Sequence, residues 1–134
     1  MAIFISDSAD KTLKFGEEYA KSLKAGDVVL LNGDMGTGKT VFCKGVAKGL
    51  GIEDDVLSPT YAYMNDYYGK LYHFDCYRLT CGEQAEALGL TDYFYADGVC
   101  LIEWAQNISS VLPAKVKKVT IEKISDSERR IIYE

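Results

Sequence analysis

The eight residues Gly33-Asp34-Met35-Gly36-Thr37-Gly38-Lys39-Thr40 constrain this chain more than any others. They match the pattern G-x-x-x-x-G-K-[ST] and follow closely on the apolar run Val28-Val29-Leu30-Leu31. The backbone N–H groups of such a loop can converge on phosphate oxygens, and the helix behind it turns its positive end toward the same anion. Lys39 adds a mobile cation for the β- and γ-phosphates, and the Thr40 hydroxyl is a hard oxygen ligand suited to Mg²⁺. A Gly-rich turn can match the pattern by chance. Here a strand leads in, a helical pattern leads out and the Lys-Thr pair is intact, so the loop predicts binding of a nucleoside triphosphate.

Patterning on either side predicts an α/β fold. Residues 3–5 read as a short strand. Ser6, Asp7 or Ser8 can cap a helix running to about Leu23, with Leu13, Ala20 and Leu23 on one face. The helix after the loop carries Phe42, Val46, Ala47 and Leu50 and stops at Gly49-Leu50-Gly51. Pro59 pushes Ser58 out of helical conformations, so Ser58-Pro59-Thr60 breaks regular structure. Residues 61–68 and 71–75 predict two strands around a Gly69-Lys70 turn, and residues 83–88 a short helix capped by Gly89. Val99-Cys100-Leu101-Ile102 is the continuous apolar run of a strand covered on both faces. Residues 105–111 read as helical, ending before Pro113, and residues 116–124 and 130–133 as a hairpin turned at Ser125-Asp126-Ser127. Strands alternating with helices predict one domain over residues 1–134, a three-layer P-loop NTPase-like α/β fold. Its central sheet is expected to be mixed and partly parallel, flanked by helices.

Composition narrows the function classes. With 134 residues and a formal charge of −5, the chain is poorly suited to gripping nucleic acid by itself. Any RNA in its biology is expected to be held by another subunit, and neither DNA nor a membrane is an expected partner. Apolar runs stop at four or five residues, too short to span a bilayer, and the start lacks the basic flank of a signal peptide. The expected location is cytoplasmic. Twelve lysines stand against three arginines, Arg78, Arg129 and Arg130, whereas nucleotide kinases usually clamp a second phosphate group with several arginines. The four cysteines form no C-x-x-C pair, so Cys43, Cys76, Cys81 and Cys100 read as small apolar side chains.

Phosphoryl chemistry on a Mg²⁺-nucleotide needs an acidic group at the end of a strand, to hold the metal or to orient water. Asp75 ends the predicted strand 71–75, and Glu103 follows the apolar run that ends at Ile102. Spacing alone leaves open which of the two serves the metal. Ser58-Pro59-Thr60 occupies the stretch where many P-loop proteins place a segment that senses the γ-phosphate. Tyr61, Tyr63, Tyr67, Tyr68, Tyr72 and Tyr77 make the neighbouring stretch the most aromatic of the chain, with one face expected in the core and the other open to a partner. Trp104, beside Glu103, fits packing or a cover over the nucleotide.

Four elements in this order and spacing, the loop 33–40, Ser58-Pro59-Thr60-Tyr61, His73-Phe74-Asp75-Cys76-Tyr77-Arg78 and Ile102-Glu103-Trp104, resemble the TsaE (YjeE) family over nearly the whole chain. The loop alone is generic. The H-F-D-x-Y-R and E-W elements make the resemblance specific. It implies a weak, partner-dependent Mg²⁺-ATPase needed for threonylcarbamoyladenosine in bacterial tRNA. Such a subunit works with a TsaD–TsaB complex, through which alone it meets tRNA. By the same resemblance Thr40 and Glu103 serve Mg²⁺, Asp75 activates water, Lys39 acts at the phosphates and residues 58–60 form a switch-like loop. Family contacts to the base would fall by position on Ala9 and Ser127. Two rival readings are a small-molecule or nucleotide kinase and a non-hydrolysing, nucleotide-gated binding module. The first lacks a cationic lid in the sequence, and the intact Thr40, Asp75 and Glu103 speak against the second.

Overall fold

The computed structural model describes residues 1–34, 37–56 and 63–134. Among the described residues seven strands follow the order β1-β7-β6-β2-β5-β4-β3: β1 Ala2–Ser6, β2 Val28–Asn32, β3 Met64–Tyr67, β4 Leu71–Asp75, β5 Val99–Glu103, β6 Lys117–Lys123 and β7 Arg129–Tyr133. β4 and β5 run parallel, whereas β1–β7, β6–β7 and β3–β4 are antiparallel. The fold is thus mixed α/β with a partly parallel sheet, as the alternation of elements predicts. The chain forms two compact units, one of Met1–Leu23, Leu31–Leu57 and Lys118–Glu134 and one of Lys24–Leu30 and Ser58–Lys117. β2 is divided between them. No described helix is long and apolar enough to cross a membrane.

In the first unit, α1 (Ala9–Lys21) starts where Ser8 holds an extended backbone and its side chain accepts from the Lys11 N–H. Asp10 in the first turn and Lys21 in the last complement the helix dipole. Its buried stripe is Thr12, Gly16, Tyr19 and Ala20, while the expected Leu13 and Leu23 are only half-buried. The reason lies in α2 (Lys39–Gly49), which crosses α1 backbone to backbone. A Cβ on Gly16 would meet the Phe42 carbonyl at 2.7 Å, and one on Gly45 would collide with the Leu13 carbonyl. Small residues, not leucines, therefore mark the contact face. Phe15 of α1 then reaches Phe4 of β1 and Tyr133 of β7, with ring centroids 4.9 Å apart in each case.

The second unit packs Val28, Leu30, Phe74, Phe94, Ile102 and Ile108 into one core. β4 and β5 each bury their first four residues, and only Asp75 and Glu103 at their ends are less enclosed. The β3–β4 turn sits one residue earlier than predicted. Tyr68 and Gly69 take left-handed backbone angles (φ 60° and 67°), Lys70 N–H donates to the Tyr67 carbonyl, and the Gly69 N–H donates to Asp66 Oδ1. α3 (Gly82–Ala87) ends before a left-handed Gly89, as expected. Residues 105–111 form 3₁₀ turns broken at Ile108 rather than an α-helix, and Leu90–Tyr95 adds a 3₁₀ segment that the periodicity did not reveal.

Candidate functional site

The loop between β2 and α2 is shaped by groups that only its residue types can supply. Gly33 has φ +154°, and a Cβ there would meet the Ile121 carbonyl and Thr37 Oγ1, each at 2.8 Å. Thr37 is buried and turns both its N–H (3.3 Å) and its hydroxyl (2.7 Å) to the Asp34 carbonyl. Gly38 caps α2 in a left-handed conformation, φ +97°, and among the described residues a Cβ on it would meet nothing within 4 Å. A backbone without a Cβ at this point suits close approach of a phosphate. Lys39 and Thr40 are the first two residues of α2, and the Lys39 stem folds back to within 3.5 Å of a Cβ built on Gly33. Thr40 is exposed. Met35 and Gly36 lie outside the described residues.

One residue outside every sequence motif joins this loop. Arg129, at the start of β7, donates from Nε to the Thr37 carbonyl (3.0 Å). Its Nη1 donates to the carbonyls of Ser125 (2.7 Å), Glu128 (3.0 Å) and Asp126 (3.3 Å). Only the count of arginines hinted at it, because backbone carbonyls as acceptors leave no mark in the sequence. Ser127 lies exposed in this same turn, and Ala9 is exposed at the first position of α1.

In the other unit the two carboxylates come together. Asp75 and Glu103 are register partners at the carboxyl ends of the parallel strands β4 and β5. Parallel pairing of two strands with the same buried pattern puts both acids at one edge, side by side. His73 Nε2 lies 2.7 Å from Glu103 Oε2, with the two side chains 2% and 12% exposed. Of the two Glu103 oxygens, the imidazole thus fixes one. Asp75 Oδ1 accepts the Tyr77 N–H at 3.0 Å, turning the chain as it leaves β4. Cys76 N–H donates to the Glu103 carbonyl at 3.0 Å, and Asn107 Nδ2 donates to the carbonyls of Cys76 (3.0 Å) and Tyr77 (3.3 Å). These bonds tie the two strand exits together. Carboxylates and hydroxyls are hard oxygen donors, so Glu103 and Thr40 each have the chemistry that Mg²⁺ takes.

The remaining motif residues surround this edge. Trp104 adopts a left-handed backbone (φ 59°), and its ring meets Tyr77 edge-on at 4.9 Å. It also packs against the core, the packing role, while Tyr77 and Arg78 are exposed. Tyr72 on β4 is buried, and Tyr68 in the turn after β3 is exposed. Burial, with Asp75 adding to it, pushes the Cys76 thiol up to about 12, and burial does the same to Cys100. Both stay neutral thiols. Ser58, Pro59, Thr60 and Tyr61 lie outside the described residues.

The model of the family described as threonylcarbamoyl adenosine biosynthesis protein TsaE matches residues 6–131. The chain belongs to the TsaE family. It is 42% identical over 127 residues to the "tRNA threonylcarbamoyladenosine biosynthesis protein TsaE" of Bacillus subtilis, covering 92% of this chain and 79% of that protein. The protein of the same name from Treponema pallidum is 38% identical over 129 residues, covering 95% of this chain and 96% of that protein. The crystal structure of Bacillus subtilis YdiB superposes with a TM-score of 0.82 at 37% identity, over 98% of this chain and 83% of that one.

Proposed function

We propose that this TsaE-family chain serves threonylcarbamoyladenosine biosynthesis in tRNA as a Mg²⁺-dependent ATPase, weak alone and active with a TsaD–TsaB-type complex. The observation that carries this reading is the in-register pair Asp75 and Glu103 in a chain that also holds the loop 33–40. Phosphates would lie on the loop's N–H groups and on Lys39. Thr40 and Glu103 would serve the ion, which neutralises charge on the β- and γ-phosphates when bound. Asp75 would take the proton of the attacking water, its Oδ1 already oriented by the Tyr77 N–H. With a formal charge of −5 the chain meets tRNA through the complex and not by its own surface. The place of action is the cytoplasm.

A pull-down with a purified TsaD–TsaB complex, with and without ATP carrying a labelled γ-phosphate, tests the reading. ATP-dependent capture with release of labelled inorganic phosphate is expected. Absence of capture in both states overturns the partnership. Label recovered on a small-molecule acceptor overturns hydrolysis in favour of a kinase.

A further inference from the structure

Arg129 donates to backbone carbonyls from two segments of its own unit, the turn 125–128 and Thr37 of the phosphate loop, 92 residues away in sequence. We propose that Arg129 is a positioning residue for nucleotide binding, which aims the Gly38 N–H and makes the order of the turn 125–128 part of the bound state. The inference rests on the reading of the loop 33–40 as a phosphate site.

The geometry carries it through the planarity of one peptide unit. In a trans peptide the C=O and the following N–H point in opposite directions. No cis peptide occurs among the described residues, so with the Thr37 oxygen held at 3.0 Å by Arg129 Nε, the Gly38 N–H points away from the guanidinium. Among the described residues, a Cβ built on Gly38 would also meet nothing within 4 Å. Thr37 is anchored from its other side by two bonds to the Asp34 carbonyl, so Arg129 removes the remaining freedom of that peptide plane. An arginine is needed for the task. Its planar fork serves Thr37 through Nε and the turn through Nη1 at once, whereas a lysine ammonium is a single point that cannot span both in fixed geometry. Arg130, next in sequence, pairs at 3.2 Å with Glu122 on the exposed surface and touches neither segment by such a bond.

Calorimetric titration with ADP and a non-hydrolysable ATP analogue tests this in the wild type, Arg129→Lys, Arg129→Gln and Arg130→Lys. Amide hydrogen exchange of residues 125–128 is followed in parallel. Loss of a charge-assisted bond at Thr37 is expected to weaken nucleotide affinity about tenfold or more in both Arg129 variants. Arg130→Lys is expected to stay within about twofold. Nucleotide slows exchange of the turn in the wild type and fails to do so in Arg129→Lys. A merely structural role lowers the melting temperature and leaves affinity and the exchange response intact, and that result overturns the inference. Should Arg129→Gln not fold, Arg129→Lys, which keeps length and charge, decides alone. A wild type that binds no nucleotide overturns the phosphate-loop reading and the inference with it. Wild-type binding matched by Arg129→Lys overturns the inference only.

Discussion

The phosphate loop presents backbone, and the ends of β4 and β5 present side chains. At the loop the conformation needs residues with no Cβ: a methyl group on Gly33 would strike the Ile121 carbonyl, and Gly38 sits at φ +97°. At the strand ends two carboxylates are set by register, and a buried imidazole and an amide hold the surrounding atoms. A binding device made of N–H groups tolerates little change of residue type and carries little chemistry of its own. An acid–base device made of carboxylates can lose one group and keep its architecture. The two regions should therefore fail differently.

The largest effect is expected at the loop. Lys39→Ala should abolish detectable nucleotide binding whether or not Mg²⁺ is present, because the cation acts on phosphate charge directly. Equilibrium binding of ADP at both conditions checks this, and binding that is lost only with Mg²⁺ would blur the division. Glu103→Ala should raise the Mg²⁺ concentration for half-maximal nucleotide affinity by about a hundredfold, the scale of losing an oxygen ligand or its orientation, while Mg²⁺-free affinity stays near wild type. A smaller shift of about tenfold is expected for His73→Leu, which leaves Glu103 in place and removes its partner at 2.7 Å. His73→Gln, able to donate to the same oxygen, should recover most of it. His73 is the chain's one histidine, so its ring resonances report directly whether Mg²⁺-nucleotide perturbs this pair.

The same division explains what the amino-acid sequence alone reveals. Glycines at 33 and 38 followed by Lys39-Thr40 announce a backbone device, because glycine is what such a device requires. The buried runs 71–74 and 99–102 announce strands and leave their acids at the ends, but period-two patterning says nothing of which strand lies beside which. Only the parallel register brings Asp75 opposite Glu103. The α1 contact face is hidden in the sequence because leucines advertise apolar area, whereas the contact is a close approach of backbones at Gly16 and Gly45. Residues 105–111 read as helical, and Asn107 is turned toward the carbonyls of Cys76 and Tyr77 from a broken 3₁₀ segment. Arg129 leaves no mark for a related reason: it donates to the carbonyls of Thr37, Ser125, Asp126 and Glu128, and every residue has a carbonyl.

In the proposed mechanism, binding and hydrolysis are separable functions of different residues, and Asp75→Ala tests that most directly. Nucleotide affinity and phosphate release would be measured on the same sample, with Mg²⁺ and a TsaD–TsaB-type complex present. The expected result is wild-type affinity with phosphate release reduced at least about a hundredfold, the scale of a lost general base. Phosphate release at the wild-type rate, or affinity that falls in step with it, would contradict the account.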